Sequence, residues 1–199
     1  MRRGIFGGSF DPIHVGHLAA ARAVRAARGL ERVYVVPSAR PPHKPRGCIA
    51  SFEQRVAMAR LATEGDPVLE VLDAEGRRPG RSYTVDTVRE LREAQPGVEF
   101  DLLVGSDMLA DLPGWRRAQE LVGLVAVVAF SRPDADPAAA LPAFRAAFPG
   151  VTPVWVDVPP VAVSATAVRR RLERGESLEG WVPPGVAAYI DRNRVYKGG

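Results

Sequence analysis

The sequence predicts an α/β fold, a doubly wound parallel sheet flanked by helices and followed by a helical C-terminal segment. Three observations carry this. Short runs rich in β-branched and aromatic residues alternate with stretches of helical period, the pattern of repeated βα units. The composition, 46% hydrophobic and 25% charged, is that of a packed globular chain rather than a disordered one. The length, 199 residues, suits one domain.

Taken in order, residues 3–6 form a first short strand that stops at Gly7 and Gly8. Residues 16–28 have helical period and end at Gly29. Residues 32–36 (RVYVV) are β-branched and aromatic and stop at Pro37, which marks a buried strand. Further strands are expected at 68–72, 100–104, 124–130 and 154–156, with helices at 52–64, 84–94, 114–122 and 137–148 between them. The Pro/Ala-rich stretch 132–142 is the candidate for a mobile excursion. The tail differs: 164–174 and 185–192 are successive helices with no strong strand between them.

Charge alone points the wrong way. The net charge is +4 and the pI about 9.7, a balance that suggests nucleic acid or a membrane surface as partner. Yet no basic stripe interleaved with aromatics is evident. The longest apolar stretch, 121–130, is interrupted by Gly123 and is about half a membrane span. The N-terminal MRRGIFGGSFDP turns to glycine too soon for a signal peptide. A single cysteine, Cys48, excludes an internal disulfide and fits a reducing compartment, so a soluble, cytoplasmic protein is expected. The scarce residues are more telling. Only Lys44 and Lys197 are lysines, and all three histidines, His14, His17 and His43, fall in the first quarter.

In an open α/β sheet, ligands bind beyond the carboxyl ends of the strands, so the loops there should carry function. The first is GGSFDPIHVGH, residues 7–17. Paired glycines let a ligand approach the backbone, and the following helix end favours phosphate. Asp11 reads as a helix N-cap with Pro12 at the first helical position. His14 is expected in the loop and His17 in the first helical turn. A zinc site is disfavoured because one cysteine and three histidines leave few soft ligands. His43 and Lys44 lie in a proline-stiffened loop suited to phosphate or to plain solvent exposure. The run SYTVDT, residues 82–87, reads as a helix start with Thr84 and Thr87 on one side. Asp107, after Gly105 and Ser106, is either an N-cap or an acceptor for ribose hydroxyls. Trp115 alone reads as packing. Ser164 reads as an N-cap that, with Thr166 and Arg169, makes a second anion site, while Arg170 and Arg171 are expected to be solvated.

The glycine spacing is not the dinucleotide fingerprint G-x-G-x-x-G. Instead GGSFDPIHVGH closely resembles the signature of the nucleotidyltransferase superfamily, a glycine loop followed by H-x-G-H. From residue 4 to 189 the chain resembles the bacterial nicotinate-nucleotide adenylyltransferase family, through PPHK, SYTVDT, GSD with its trailing tryptophan, and VSATAVR. In the last motif Val163 and Ala165 stand where the family commonly has Ile and Ser, so no role transfers to Ala165. The resemblance implies a Rossmann-like fold, residues 1–199 as one nucleotidyltransferase domain, and transfer of an adenylyl group from ATP to nicotinate mononucleotide. It implies Gly7, Gly8, Ser9, Phe10, His14, Gly16, His17, Gly105, Asp107, Ser164, Thr166 and Arg169 around ATP. It also implies His43, Lys44, Thr84, Thr87 and Trp115 around the mononucleotide, with His14, His17 and Arg169 catalytic. Mg²⁺ is expected to travel with ATP, since no carboxylate cage is evident. A transferase for nicotinamide mononucleotide or another small phosphorylated acceptor is the nearest alternative. A class I tRNA-synthetase fragment and a non-enzymatic nucleic-acid binder fit less well.

Overall fold

The computed structural model describes residues 1–41, 47–131 and 137–196, with backbone alone for 137–139. Six strands form one sheet: β1 (Arg2–Gly8), β2 (Val33–Pro37), β3 (Leu69–Val71), β4 (Glu99–Gly105), β5 (Ala126–Phe130) and β6 (Val154–Val156). Their order is β3-β2-β1-β4-β5-β6 and every pair is parallel. The winding therefore reverses between β1 and β4, which opens a crevice at their carboxyl ends.

Eight α-helices cover the sheet: α1 (Val15–Arg28), α2 (Phe52–Thr63), α3 (Thr84–Ala94), α4 (Ser106–Asp111), α5 (Ala118–Leu124), α6 (Pro137–Ala147), α7 (Ala165–Glu173) and α8 (Pro184–Arg192). Two 3₁₀ turns, Ala74–Arg77 and Leu112–Gly114, complete the described residues. Alternation along the strands divides the core in two. Phe6, Val35, Leu103 and Val128 face α1, α2, α7 and α8. Ile5, Tyr34, Leu102 and Val127 face α3, α4, α5 and α6. The two C-terminal helices thus return to the layer that carries α1, and this brings distant sequence beside the first loop.

The strands and most helices lie where the sequence places them, with shifts at punctuated ends. The helix expected at 114–122 begins only at Ala118, because Trp115 is extended and Arg117 takes a left-handed φ of 55°. Leu124 closes that helix, so the strand expected from 124 begins at Ala126. The helix α4 follows β4 directly and is too short for its period to register in the sequence. Of the Pro/Ala-rich stretch, 137–142 belongs to α6 and 132–136 lies outside the described residues. At the foot of the sheet, Asp101 of β4 is fully buried and ion-paired with Arg28 Nε at 2.8 Å and Arg2 Nε at 3.7 Å. This ties the last turn of α1 to the centre of the sheet.

Phe144, fully buried in α6, fills the core layer away from the crevice. Truncation to alanine removes that ring and leaves a cavity. Phe144→Ala should therefore lower the unfolding free energy in urea by about 3–5 kcal/mol. A loss below about 1 kcal/mol would contradict this packing.

Candidate active site

A cleft of about 730 Å³ opens at the carboxyl ends of β1 and β4, within the size range of small-molecule sites. Its floor is the loop after β1. Phe10 adopts a left-handed φ of 46° and turns its ring back under Gly8. A Cβ on Gly8 would lie 2.9 Å from Phe10 Cζ, so only glycine fits there. The Phe10 ring packs edge-on against Phe6 and His17, with centroids 5.5 and 5.0 Å away. A Cβ on Gly7 would meet no atom within 4 Å, because that position faces the open cleft.

Asp11 is not the cap of α1. Its carboxylate, 2% exposed, accepts hydrogen bonds from the Ile49 and Ala50 N–H groups (2.9 and 3.1 Å) and from the Tyr196 hydroxyl (2.8 Å). With those acceptors engaged, helix initiation falls to His14, whose backbone is extended at φ −144°. His17 sits three residues on, and its Nδ1 accepts the His14 backbone N–H at 3.2 Å. In the neutral ring the proton then resides on Nε2, which is left as the donor. The two imidazoles stack with centroids 3.6 Å apart, and both line the cleft. Gly16 makes the stack possible: a Cβ there would meet His14 Cε1 and Nδ1 at 3.2 Å.

The opposite wall comes from the N-terminus of α7. Ser164 caps it, accepting the Ala167 N–H at 3.2 Å. Arg169 donates to the Asp11 carbonyl at 2.5 Å and to Thr166 Oγ1 at 3.2 Å. The first loop and the α7 motif, far apart in sequence, therefore meet directly. Arg171 is not simply solvated: it stacks on Trp181 at 4.7 Å and pairs with Glu176 at 3.0 Å.

At the other end of the cleft, Gly105 caps α4, so Asp107 is not the cap but an exposed residue of the first turn, lining the cleft beside β1. Tyr83 caps α3 and leaves Ser82 Oγ to accept the Arg40 N–H at 3.0 Å. Thr84 lines the cleft with Tyr83 and Trp115. Thr87 also borders it, but its hydroxyl is engaged, accepting from Arg78 at 2.6 Å and donating to Glu75 at 3.3 Å. His43 and Lys44 lie outside the described residues.

The cytidylyltransferase-like family model matches residues 5–171. A Geobacter metallireducens protein named "Probable nicotinate-nucleotide adenylyltransferase" is 41% identical, covering 98% of each chain. The chain belongs to this family, the nicotinate-nucleotide adenylyltransferases. A Thermus thermophilus member of the same name is 42% identical over 99% of this chain and 100% of its own. The fold recurs in the Plasmodium falciparum nicotinic acid mononucleotide adenylyltransferase complexed with NaAD, with a TM-score of 0.77, 20% identity, and coverage of 100% and 98%.

Three residues in or beneath this adenylyltransferase-family cleft escape a reading of the sequence. Glu75 stands in a charged run that reads as solvated, yet it is 5% exposed and lines the cleft, accepting from the Ala39 N–H and Thr87. Burial pushes its carboxyl above the ordinary glutamate range, against the opposing pull of Ser82, the Ala39 N–H and Arg78. Arg55 is 1% exposed and donates to the Ser9 carbonyl at 2.7 Å, with Ala50 and Ala39 carbonyls as further acceptors. Its spacing from Met58, Ala59 and Ala62 puts it on the buried face of α2, a legible signal. Arg116 lies over Tyr83, 4.8 Å from the ring centroid, at the cleft wall. Among the described residues no three His, Cys, Asp or Glu side chains converge as a metal site.

Gly16→Ala should displace His14 by a few tenths of an ångström, lowering kcat about tenfold while leaving the melting temperature near wild type. Steady-state rates beside a thermal melt check this. Glu75 has its pKa raised in the folded state. Its neutral form is therefore favoured by folding, and that advantage is lost as pH rises through the folded value. Relative to wild type, Glu75→Gln should gain stability as pH rises above the ordinary glutamate range and level off once the folded-state carboxyl has ionised, read from urea midpoints. A pH-independent difference would contradict a buried, desolvated carboxylate.

Proposed function

We propose that the chain is a single nucleotidyltransferase domain that joins ATP to nicotinate mononucleotide, giving nicotinate adenine dinucleotide and pyrophosphate in NAD biosynthesis. The carrying observation is the meeting of stacked His14 and His17 with Arg169 and the α7 N-terminus across the β1–β4 crevice. The full-length similarity to family members supports the same reading.

In this reaction a phosphate oxygen of the mononucleotide attacks the α-phosphorus of ATP. A new P–O bond forms, the bond to the bridging oxygen breaks, and pyrophosphate leaves with the electron pair. The nucleophile has a second pKa near about 6 and is mostly ionised at neutral pH, so no general base is needed. The protein must hold two anions together and stabilise the charge that builds on the α-phosphate and the leaving group. His17 Nε2–H, fixed as donor by the bond at Nδ1, serves the α-phosphate with His14. Arg169 spends two of its five N–H donors on Asp11 and Thr166, which leaves a fork for the β- and γ-phosphates beside Ser164. Gly7, Gly8 and Ser9 underlie the phosphates. Phe10 offers backbone there, its ring being buried.

Gly105 and Asp107 suit the adenosine side, where a carboxylate accepts from ribose hydroxyls. Trp115 and Thr84 suit the nicotinate mononucleotide, and His43 and Lys44 are assigned to it from the PPHK resemblance alone. Thr87 belongs to the same subsite and acts with Glu75 and Arg78 behind the wall. Mg²⁺ carried with ATP would supply charge neutralisation on the phosphates, and no cluster among the described residues is assigned to hold it. No nucleic acid or membrane partner is invoked, and no helix among the described residues is long and apolar enough to cross a membrane. A cytoplasmic setting suits the single cysteine.

Pyrophosphate release should appear with ATP and nicotinate mononucleotide together. It should be weaker with nicotinamide mononucleotide, and silence with both acceptors would reject the proposal. His17→Ala should lower kcat roughly 10²–10³-fold with the fold retained, the usual cost of one preorganised donor. Wild-type turnover in that variant would remove His17 from the mechanism.

A further inference from the structure

We infer that Tyr196 is a positioning residue for the phosphate site: its hydroxyl, through the carboxylate of Asp11, fixes the backbone carbonyl that aims Arg169. This rests on the proposed assignment of Arg169 to ATP. The residue lies in the turn after α8, with a left-handed φ of 66°, and packs against the α1–α2–α7–α8 core. It reaches across 185 positions of sequence to donate to Asp11 Oδ1 at 2.8 Å.

Asp11 has two working ends. Its side chain is held by Tyr196 and by the Ile49 and Ala50 N–H groups. Its main-chain carbonyl accepts from Arg169 Nη1. A shift of the carboxylate moves the carbonyl carbon, three bonds away, and with it the guanidinium. The same C-terminal region supplies a second strut, since the Trp181 carbonyl accepts the Val15 N–H at 3.0 Å, on the far side of His14. The loop that carries His14 is thus held at both ends by residues after α7. Burial, then the Asp11 charge, push the Tyr196 phenol above its ordinary range, so it stays a donor across the working pH.

The test compares Mg·ATP dissociation constants for wild type, Tyr196→Phe, Arg169→Ala and the double variant, with urea midpoints alongside. Phenylalanine keeps the ring and removes only the donor. Tyr196→Phe should weaken ATP binding roughly three- to tenfold, the usual net worth of one hydrogen bond. In the Arg169→Ala background it should cost nothing further, because the group it positions is gone. The KM for the mononucleotide should not move. Asp11→Asn, which sets an amide against two backbone N–H donors, should weaken ATP binding in the same way. Unchanged ATP affinity in Tyr196→Phe, or losses that multiply in the double variant, would overturn the inference, since a residue with a purely structural role gives independent effects. Wild type that binds ATP yet releases no pyrophosphate would instead overturn the acceptor assignment and leave this coupling to be read from the binding constants. Wild type that fails to bind ATP overturns both.

Discussion

The carboxylate of Asp11 organises the functional half of the molecule. A charge buried to this degree costs several kcal/mol unless its lone pairs are met. The donors that meet it come from the loop before α2 and from the last turn of the described chain. Satisfying one charge therefore brings two distant segments to the end of β1. The buried Arg55 repeats the device with opposite sign, giving its donors to main-chain carbonyls of the same loops. The glycines and histidines of the first loop then adopt their positions on a floor already fixed.

Much of the fold is legible in the sequence because strands such as 32–36 are buried on both faces and read as unbroken apolar runs. The split between His14 ahead of the helix and His17 in its first turn is also legible, although Gly16, the residue that suggests it, lies inside α1. Ser164 as the cap of α7 follows from local preference alone. Asp11 is the instructive exception. Asp-Pro before an amphipathic helix satisfies every local rule for a cap, yet a partner at position 196 competes for the same oxygen. Glu75 is hidden for the same reason: nothing local in DAEGRRPGR marks it as buried, and its partners are the Ala39 N–H after β2 and Thr87 of α3. Local rules describe what a residue can do alone, and these two residues are defined by what reaches them from elsewhere.

The positive charge of the chain takes a different meaning in three dimensions. Arginines such as Arg3, Arg22, Arg32, Arg89 and Arg174 are paired with carboxylates on the surface rather than gathered into a patch. Each contributes little by itself, as exposed pairs do. Arg169 differs because its donors point at a carbonyl and a hydroxyl and keep charge available toward the cleft. The net excess is a poor guide to partners, and a cation such as Arg169, held by a carbonyl and a hydroxyl at the edge of the cleft, is a better one.

The closing of the first loop by Tyr196 has a consequence for biosynthesis. Synthesis runs from the glycine loop toward Tyr196, so the donor that completes the loop is made only after α7 and α8. The sheet can begin to form as β1, β2 and β4 appear, whereas the cleft must wait for α7, α8 and the turn beyond them. Interruption of the chain between α8 and Tyr196 would leave most of the core in place and strike a loop made 185 residues earlier.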